Sequence, residues 1–268
     1  MANSINGKLT TSLFFCGVLF LSGAMCQSVP ALYIFGDSLV DVGNNNHLTL
    51  SLIKANFPHN GIDFPTGKPT GRFSNGKNAA DFLGEITFSR QAISLTKQVE
   101  YYSLVYEQLV QQLGSDSART HLAKSLFVIE IGSNDIFAYF HKNSKVSKQY
   151  TPKQYVDLMA STLKQLMKNL KSELSDIIYS YFDTYGAMNN IIQDHQTNRI
   201  IEIKEACCGL GNLIPCTPVS TYCSNRRDHL FWDHYHITEF VSSLFVNFLY
   251  DGAQRFTFPV NVEQLVKL

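Results

Sequence analysis

An excess of either charge is missing from this 268-residue sequence, in which Lys+Arg and Asp+Glu number 22 each. Without a basic field there is nothing to hold a polyanion, which argues against nucleic acid as a partner. Asn-x-Ser/Thr sequons are absent, so N-linked glycans are not expected. Long apolar runs are scarce. The longest candidate, residues 11–21, is shorter than the ~20 residues of a membrane span, and no later segment supplies one, so no stable span is expected. Paired C-x2-C ligands are missing as well: Cys207, Cys208, Cys216 and Cys223 follow the spacing CC-x7-C-x6-C, which disfavours a zinc ribbon.

What is present suits a folded, exported chain. Hydrophobic residues make up 45% and charged residues 16%, enough apolar surface for a real core. The length fits one large α/β domain. Lys8 gives a weakly positive start, residues 11–21 form an apolar run of signal-peptide length, and Ala24 and Cys26 are small residues at the positions read by a signal peptidase. The expectation is a signal peptide over 1–26, cleavage before Gln27, and a secreted single domain over 27–268. In an oxidising compartment the four remaining cysteines read as up to two disulfides, with three connectivities open.

Residues 31–35 are a short apolar run ending at Gly36, a buried strand feeding a sharp turn. Residues 57–76, rich in Pro, Gly, Asn and Thr, read as a long surface loop. A helix starts at Ser94. Its apolar stripe is Leu95, Val99, Tyr102, Tyr106, Leu109 and Leu113, with Gly114 where a C-terminal cap belongs. Residues 126–131 are a second strand. Thr151 and Pro152 open another helix as N-cap and first turn, with Tyr155, Met159, Leu163, Leu166, Leu170 and Leu174 on its apolar face. Residues 177–182 read as a third strand. Strands alternating with amphipathic helices predict a parallel α/β sheet. The three strand ends carry Asp37 and Ser38, then Ser133, Asn134 and Asp135, then Asp183 and Thr184. Ligands in open α/β sheets bind outside the carboxyl ends of strands, so the clustering marks a site.

Taken one by one, these residues leave alternatives open. Ser38 at a strand-to-helix turn can be a nucleophile favoured by the helix N-terminus, or simply its N-cap; position alone favours the cap. Asp233 and His236 are three apart, so on a helical turn the carboxylate can fix the imidazole tautomer. Chance Asp-x-x-His pairs are common, and His229 and His234 nearby raise a metal alternative. Asn134 can donate a hydrogen bond into a cleft or close an Asx-turn.

The run from Phe35 through Gly36, Asp37, Ser38, Leu39, Val40, Asp41, Val42 and Gly43 to Asn44, Asn45 and Asn46 resembles the first block of the plant GDSL esterase/lipase family, within the SGNH hydrolases. The segment 69–76 with Asp81, the segment 131–136 bearing Asn134, and the segments 178–185, 206–209 and 231–239 resemble its later blocks, so the likeness runs from about Ala31 to the C-terminus. It implies a flavodoxin-like three-layer α/β sheet of strand order 2-1-3-4-5. It implies hydrolysis of lipid or acyl-ester substrates, with Ser38 as nucleophile, His236 as base and Asp233 orienting it. The oxyanion donors would be the Ser38 N–H and the Asn134 side chain. No metal or organic cofactor is implied. A base must be neutral, so activity should fall below about pH 6.5 unless Asp233 moves that limit upward.

Two pieces of the family pattern are missing. Between Gly84 and Gly114 the chain has no glycine, where relatives carry a glycine-rich strand end that supplies a further oxyanion donor. Inside the helix of residues 151–175 there is no strand with its Pro-Pro-x-Gly-Cys-type turn. The expected fold therefore lacks the second and fourth strands, leaving either a shifted fifth strand or open edges. Reduced esterase activity is the leading expectation. The competing one is a secreted ligand-binding shell without turnover. The oligomeric state is not legible.

Overall fold

The structure is a computed structural model that describes residues 29–49, 54–86, 95–174, 177–209 and 216–267. The expected signal peptide, the start of a helix at Ser94 and residues 87–94 of the glycine-free stretch after Gly84 lie outside these residues.

Strand β1 (Leu32–Phe35) buries Leu32 and Ile34 on one face, as the alternation of a half-covered strand requires. It pairs in parallel with β2 (Leu126–Ile129), Leu32 opposite Leu126 and Phe35 opposite Ile129. A parallel pair needs a long crossover. Here it contains α1 (Ala79–Ile86), α2 (Leu95–Leu113) and α3 (Ser115–Ala123). After β2 come α4 (Ser133–Phe140) and α5 (Pro152–Glu173), then the two-residue β3 (Tyr181–Phe182), α6 (Thr184–Gln193), β4 (Glu202–Ala206) and β5 (His229–Phe231). The chain closes with α7 (Glu239–Tyr250), β6 (Thr257–Phe258) and α8 (Val262–Leu265).

The α/β class holds, but the sheet is broken into pairs. β4 and β5 are parallel to each other, β3 pairs antiparallel with β6, and neither pair joins β1–β2. The expected third strand over 177–182 survives only as β3. No further strand lies beside β2 among the described residues, and Phe127 and Ile129 are 41% and 61% exposed. This is the open-edge alternative rather than a shifted fifth strand. β4 escaped the sequence reading because Glu202, Lys204 and Glu205 interrupt its apolar pattern.

Helix α7 joins two cores. Its Val246 packs with Leu32, Ile34, Leu83 and Leu126, while its Val241 and Phe245 pack with Ile191, Ile200, Leu230 and Phe256. Each such side chain contributes about 1.5–3 kcal/mol on burial. In α2 the inward stripe is Gln98, Tyr102, Tyr106 and Leu109; Val99 and Leu113, expected on it, are 54% and 46% exposed. Tyr102 fixes the rotation by packing edge-on against Tyr33 and Phe127. Gly114 ends the helix with φ +79°, a conformation that suits glycine.

Helix α5 starts as expected, with Thr151 and Gln154 forming a reciprocal capping box and Pro152 in the first turn. It stops at Glu173 rather than running into a strand. Tyr155, Met159, Leu163 and Leu170 are half-buried, but Leu166 and Leu174, assigned to the same face, are exposed.

Residues 57–76 are not a surface loop throughout. Asn60, Arg72, Ser74 and Asn75 are buried because each has a polar partner. Arg72 forms a bidentate pair with Asp81 (Nε–Oδ2 2.5 Å, Nη2–Oδ1 2.6 Å). Asn60 Oδ1 accepts from the Trp232 indole at 2.9 Å, and Asn75 Oδ1 accepts from the Glu239 amide at 2.8 Å. These bonds tie the segment to the stretch that carries Asp233 and His236.

Candidate active site

β1 delivers Gly36, Asp37 and Ser38 to its carboxyl end. Only glycine fits at 36, since a Cβ there would lie 2.5 Å from Val40 Cγ2 and 3.0 Å from the Glu130 carbonyl oxygen. The turn that follows is closed by Asp37, whose carbonyl accepts from Val40 N–H (3.2 Å) and whose carboxylate accepts from Leu39 N–H (3.0 Å). No α-helix follows it; the next element is a 3-10 turn over Asn44–His47. The expected helix N-terminus at Ser38 is therefore corrected, and with it the N-cap alternative.

Asp233 and His236 lie between β5 and α7, in a tight turn and not on a helix. Trp232 N–H donates to the His236 carbonyl at 2.8 Å, and Asp233 Oδ1 accepts from the amides of Tyr235 and His236, both at 2.9 Å. The spacing of three still brings the side chains together, through an Asx-type turn rather than helical periodicity. Below this turn, the amides of Cys207 and Cys208 donate to the carbonyls of Phe231 and Trp232, at 3.0 and 2.7 Å. Disulfides Cys207–Cys223 and Cys208–Cys216 fix that support, resolving the open connectivity. Thr238, fully buried, caps α7 just beyond.

Across a sequence separation of 198 residues, His236 Nε2 lies 2.9 Å from Ser38 Oγ. Its Nδ1 lies 2.7 Å from Asp233 Oδ1. Asp233 is 2% exposed and His236 6%. Burial works to raise the Asp233 carboxyl, but the hydrogen bond and charge of His236, with the amides of Tyr235 and His236, outweigh it and hold the group below the usual carboxylate range. With Nδ1–H donated to Asp233, a neutral imidazole presents the Nε2 lone pair to the Ser38 hydroxyl. That geometry can take a proton from the hydroxyl as its oxygen attacks an electrophile. Phe73 covers one face of the imidazole, ring centroids 4.9 Å apart.

Asn134 sits in the first turn of α4, exposed, behind Gly132 with φ +107°. Its Nδ2 donates to Asp37 Oδ2 at 2.8 Å, and Ser133 Oγ donates to the same oxygen. A carboxamide has two N–H groups, so one remains for another acceptor. Glu130, at the end of β2, faces Asp37: burial together with the neighbouring Asp37 carboxylate pushes its carboxyl up to about 8. His229 turns instead to Asp228 (2.6 Å) and the Asn225 carbonyl (3.1 Å), and His234 is exposed. Among the described residues no group of three or more His, Cys, Asp or Glu is placed to hold a metal, and no helix is long and apolar enough to cross a membrane.

Phe73, Glu130 and Gln98, whose carboxamide bonds the Gly36 N–H and carbonyl at 3.0 and 2.8 Å, were not singled out from the sequence, and Asp37 was marked at its strand end without a role. Asp37 stood beside Ser38 in the motif. Gln98 had a weaker signal, a polar side chain four residues before Tyr102 on a stripe that is otherwise apolar.

The chain is 33% identical to the GDSL esterase/lipase At5g55050 of Arabidopsis thaliana, with 96% of this chain and 97% of the relative covered. Two further Arabidopsis GDSL esterase/lipases, At3g50400 and At5g08460, are 28% and 26% identical over 94% and 89% of the chain, covering 96% and 88% of their own lengths. The first alignment extends over 368 positions against 268 residues here, so at least 100 of them hold residues in the relative and none in this chain. Residues 32–247 match the GDSL-like lipase/acylhydrolase family. With four-fifths of its length inside that match, the chain belongs to this family of carboxylic ester hydrolases.

Proposed function

We propose that residues 27–268 form one secreted hydrolase domain that cleaves acyl esters through Ser38, His236 and Asp233. The carrying observation is the relay of short contacts from Asp233 to His236 to Ser38. Ser38 Oγ attacks the ester carbonyl carbon while its proton passes to His236 Nε2. Asp233 holds the imidazolium that forms. The oxyanion is held by the Ser38 N–H, which has no acceptor among the described residues, and by the free N–H of the Asn134 side chain. The imidazolium returns its proton to the leaving alkoxide, giving an acyl-serine. Water then attacks the acyl carbon, its proton passes to Nε2, and collapse releases the acid as Ser38 regains its hydrogen.

The rate is set below that of longer relatives. This chain has no glycine between Gly84 and Gly114, and loss of one oxyanion donor costs about 10²–10³ in kcat. Secretion is supported by the two disulfides, which form in oxidising compartments, and by the pattern of residues 1–26.

The test is labelling with a fluorophosphonate, followed by peptide mapping, beside turnover of p-nitrophenyl butyrate. Label on the peptide that contains Ser38, lost in Ser38→Ala, and turnover about 10²–10³ below a full-length relative are expected. An unlabelled protein, or one whose turnover survives Ser38→Ala, rejects the mechanism.

A further inference from the structure

The backbone of β1 has two edges. The carbonyls of Ala31 and Phe35 accept from the amides of Leu126, which opens β2, and Glu130, directly after it, at 3.0 and 2.8 Å. The peptide groups of odd-numbered residues therefore face β2, and those of even-numbered residues face the other way. On that other edge the described residues hold no strand. At Gly36, the last peptide before the nucleophile turn, the edge is occupied by a side chain instead. Gln98 Oε1 accepts from the Gly36 N–H at 3.0 Å, and Gln98 Nε2 donates to the Gly36 carbonyl at 2.8 Å.

A carboxamide offers the same donor and acceptor as a peptide group, in one plane. Gln98 thus completes β1 as a neighbouring strand would, from the first turn of α2 and 62 residues away in sequence. It is 6% exposed. A buried carboxamide left unpaired is costly, so its two bonds to Gly36 are strongly held. They leave the Gly36 peptide little freedom to rotate. Ser38 lies two residues on, and its Oγ is within hydrogen-bond reach of His236 only while the turn keeps its orientation.

We propose that Gln98 is a positioning residue for the nucleophile, its carboxamide standing in for an adjacent strand and fixing the direction in which β1 presents Ser38 Oγ to His236. Gln98 touches none of the reacting atoms. This inference rests on Ser38 being the nucleophile.

Gln98→Met keeps the length and packing of the side chain and removes both hydrogen bonds. Gln98→Asn keeps the chemistry but falls one methylene short. Gln108→Met, at an exposed position of the same helix, is the control. The rate of Ser38 labelling by a fluorophosphonate and kcat for p-nitrophenyl butyrate should both fall about 10–100-fold in Gln98→Met and Gln98→Asn, with KM within about twofold and Gln108→Met unchanged. Wild-type labelling and kcat in a folded Gln98→Met or Gln98→Asn variant would overturn the role of Gln98 while leaving Ser38 as nucleophile. No labelling of Ser38 in the wild-type protein would overturn the underlying reading, and this one with it. Should both variants fail to fold, amide exchange in the wild-type protein decides: Gly36 N–H protected as well as Glu130 N–H supports the clamp, and rapid exchange at Gly36 alone rejects it.

Discussion

Phe73 lies face to face with His236, their ring centroids 4.9 Å apart and their planes inclined by 28°. Residues 57–76 thereby supply a wall of the site as well as a structural brace. Aromatic contacts of this kind contribute about 0.5–1.5 kcal/mol beyond the area they bury. Phe73→Ala frees the imidazole to tilt and admits water beside it. A loss of about tenfold in kcat toward p-nitrophenyl butyrate, with KM little changed, is the expected outcome. Unchanged kcat would show that the Asp233 contact alone holds the ring.

The neighbour of Phe73 carries a different load. Arg72 and Asp81 are a buried pair, side chains 3% and 1% exposed, and Arg72 also donates to the Val42 carbonyl and Thr70 Oγ1. Arg72→Met removes the cation from a buried carboxylate beneath the loop that supports Phe73, which costs about 3–5 kcal/mol. Lys153 and Asp157 form a second close pair, on the surface of α5, at 2.7 Å with side chains 74% and 59% exposed. Lys153→Ala should leave the urea midpoint close to the wild-type value, because solvent and salt screen an exposed pair. Urea unfolding of the two variants side by side checks the contrast; equal midpoints would contradict the role given to Arg72.

Legibility differed between the site and the sheet for physical reasons. Ser38, Asp233, His236 and Asn134 stand in short local patterns, and those patterns plus a family likeness marked them as candidates, although the turn that pairs Asp233 with His236 is not helical. The contacts that assemble them are non-local. Gln98 to Gly36, Asn60 to Trp232 and Asn75 to Glu239 join residues between 62 and 172 apart, and no periodicity announces them. The stripe of α2 was found at Tyr102, Tyr106 and Leu109 but not at Val99 and Leu113, because Tyr102 meets the rings of Tyr33 and Phe127 and sets the rotation of the helix. The strand over 177–182 failed because an apolar run specifies a strand only where a partner strand is waiting. Among the described residues it finds β6 and not β2.

The two disulfides tie the peptide that supports Asp233. Cys207–Cys223 spans 16 residues, and closing a loop of about that size contributes about 3 kcal/mol. The amides of Cys207 and Cys208 brace Phe231 and Trp232, directly before the Asp233 turn. Cys207→Ser with Cys223→Ser should lower the melting temperature by roughly 6–12 °C and reduce kcat more than KM. A stability loss with kcat intact would mean that β5 holds the turn without that brace.

Glu130 and Asp233 give the stability of this protein two pH windows of opposite sign. Asp233 is held below the usual carboxylate range, so its contribution is present above the unfolded value of about 3.9 and is lost as pH falls through the folded one. Glu130 is displaced the other way, from 4.5 to about 8, by burial and the Asp37 carboxylate. Its folded form holds a proton that the unfolded chain releases, so stability is fully present below the unfolded value and drains away as pH rises toward about 8. Glu130→Gln carries no titrating proton and can still accept the Asp37 amide, which lies 3.4 Å from Oε2 in the wild-type protein. Thermal melts at about pH 5 and pH 9 should therefore converge in Glu130→Gln, with the wild-type protein losing roughly 5 °C more across the same interval. Because Asp37 also accepts from Asn134, ionised Glu130 works against the anchor of the side chain proposed to hold the oxyanion. The alkaline fall in kcat should shift upward in Glu130→Gln along with the melting temperature. Melts that keep the wild-type slope after the substitution would reject Glu130 as the proton holder.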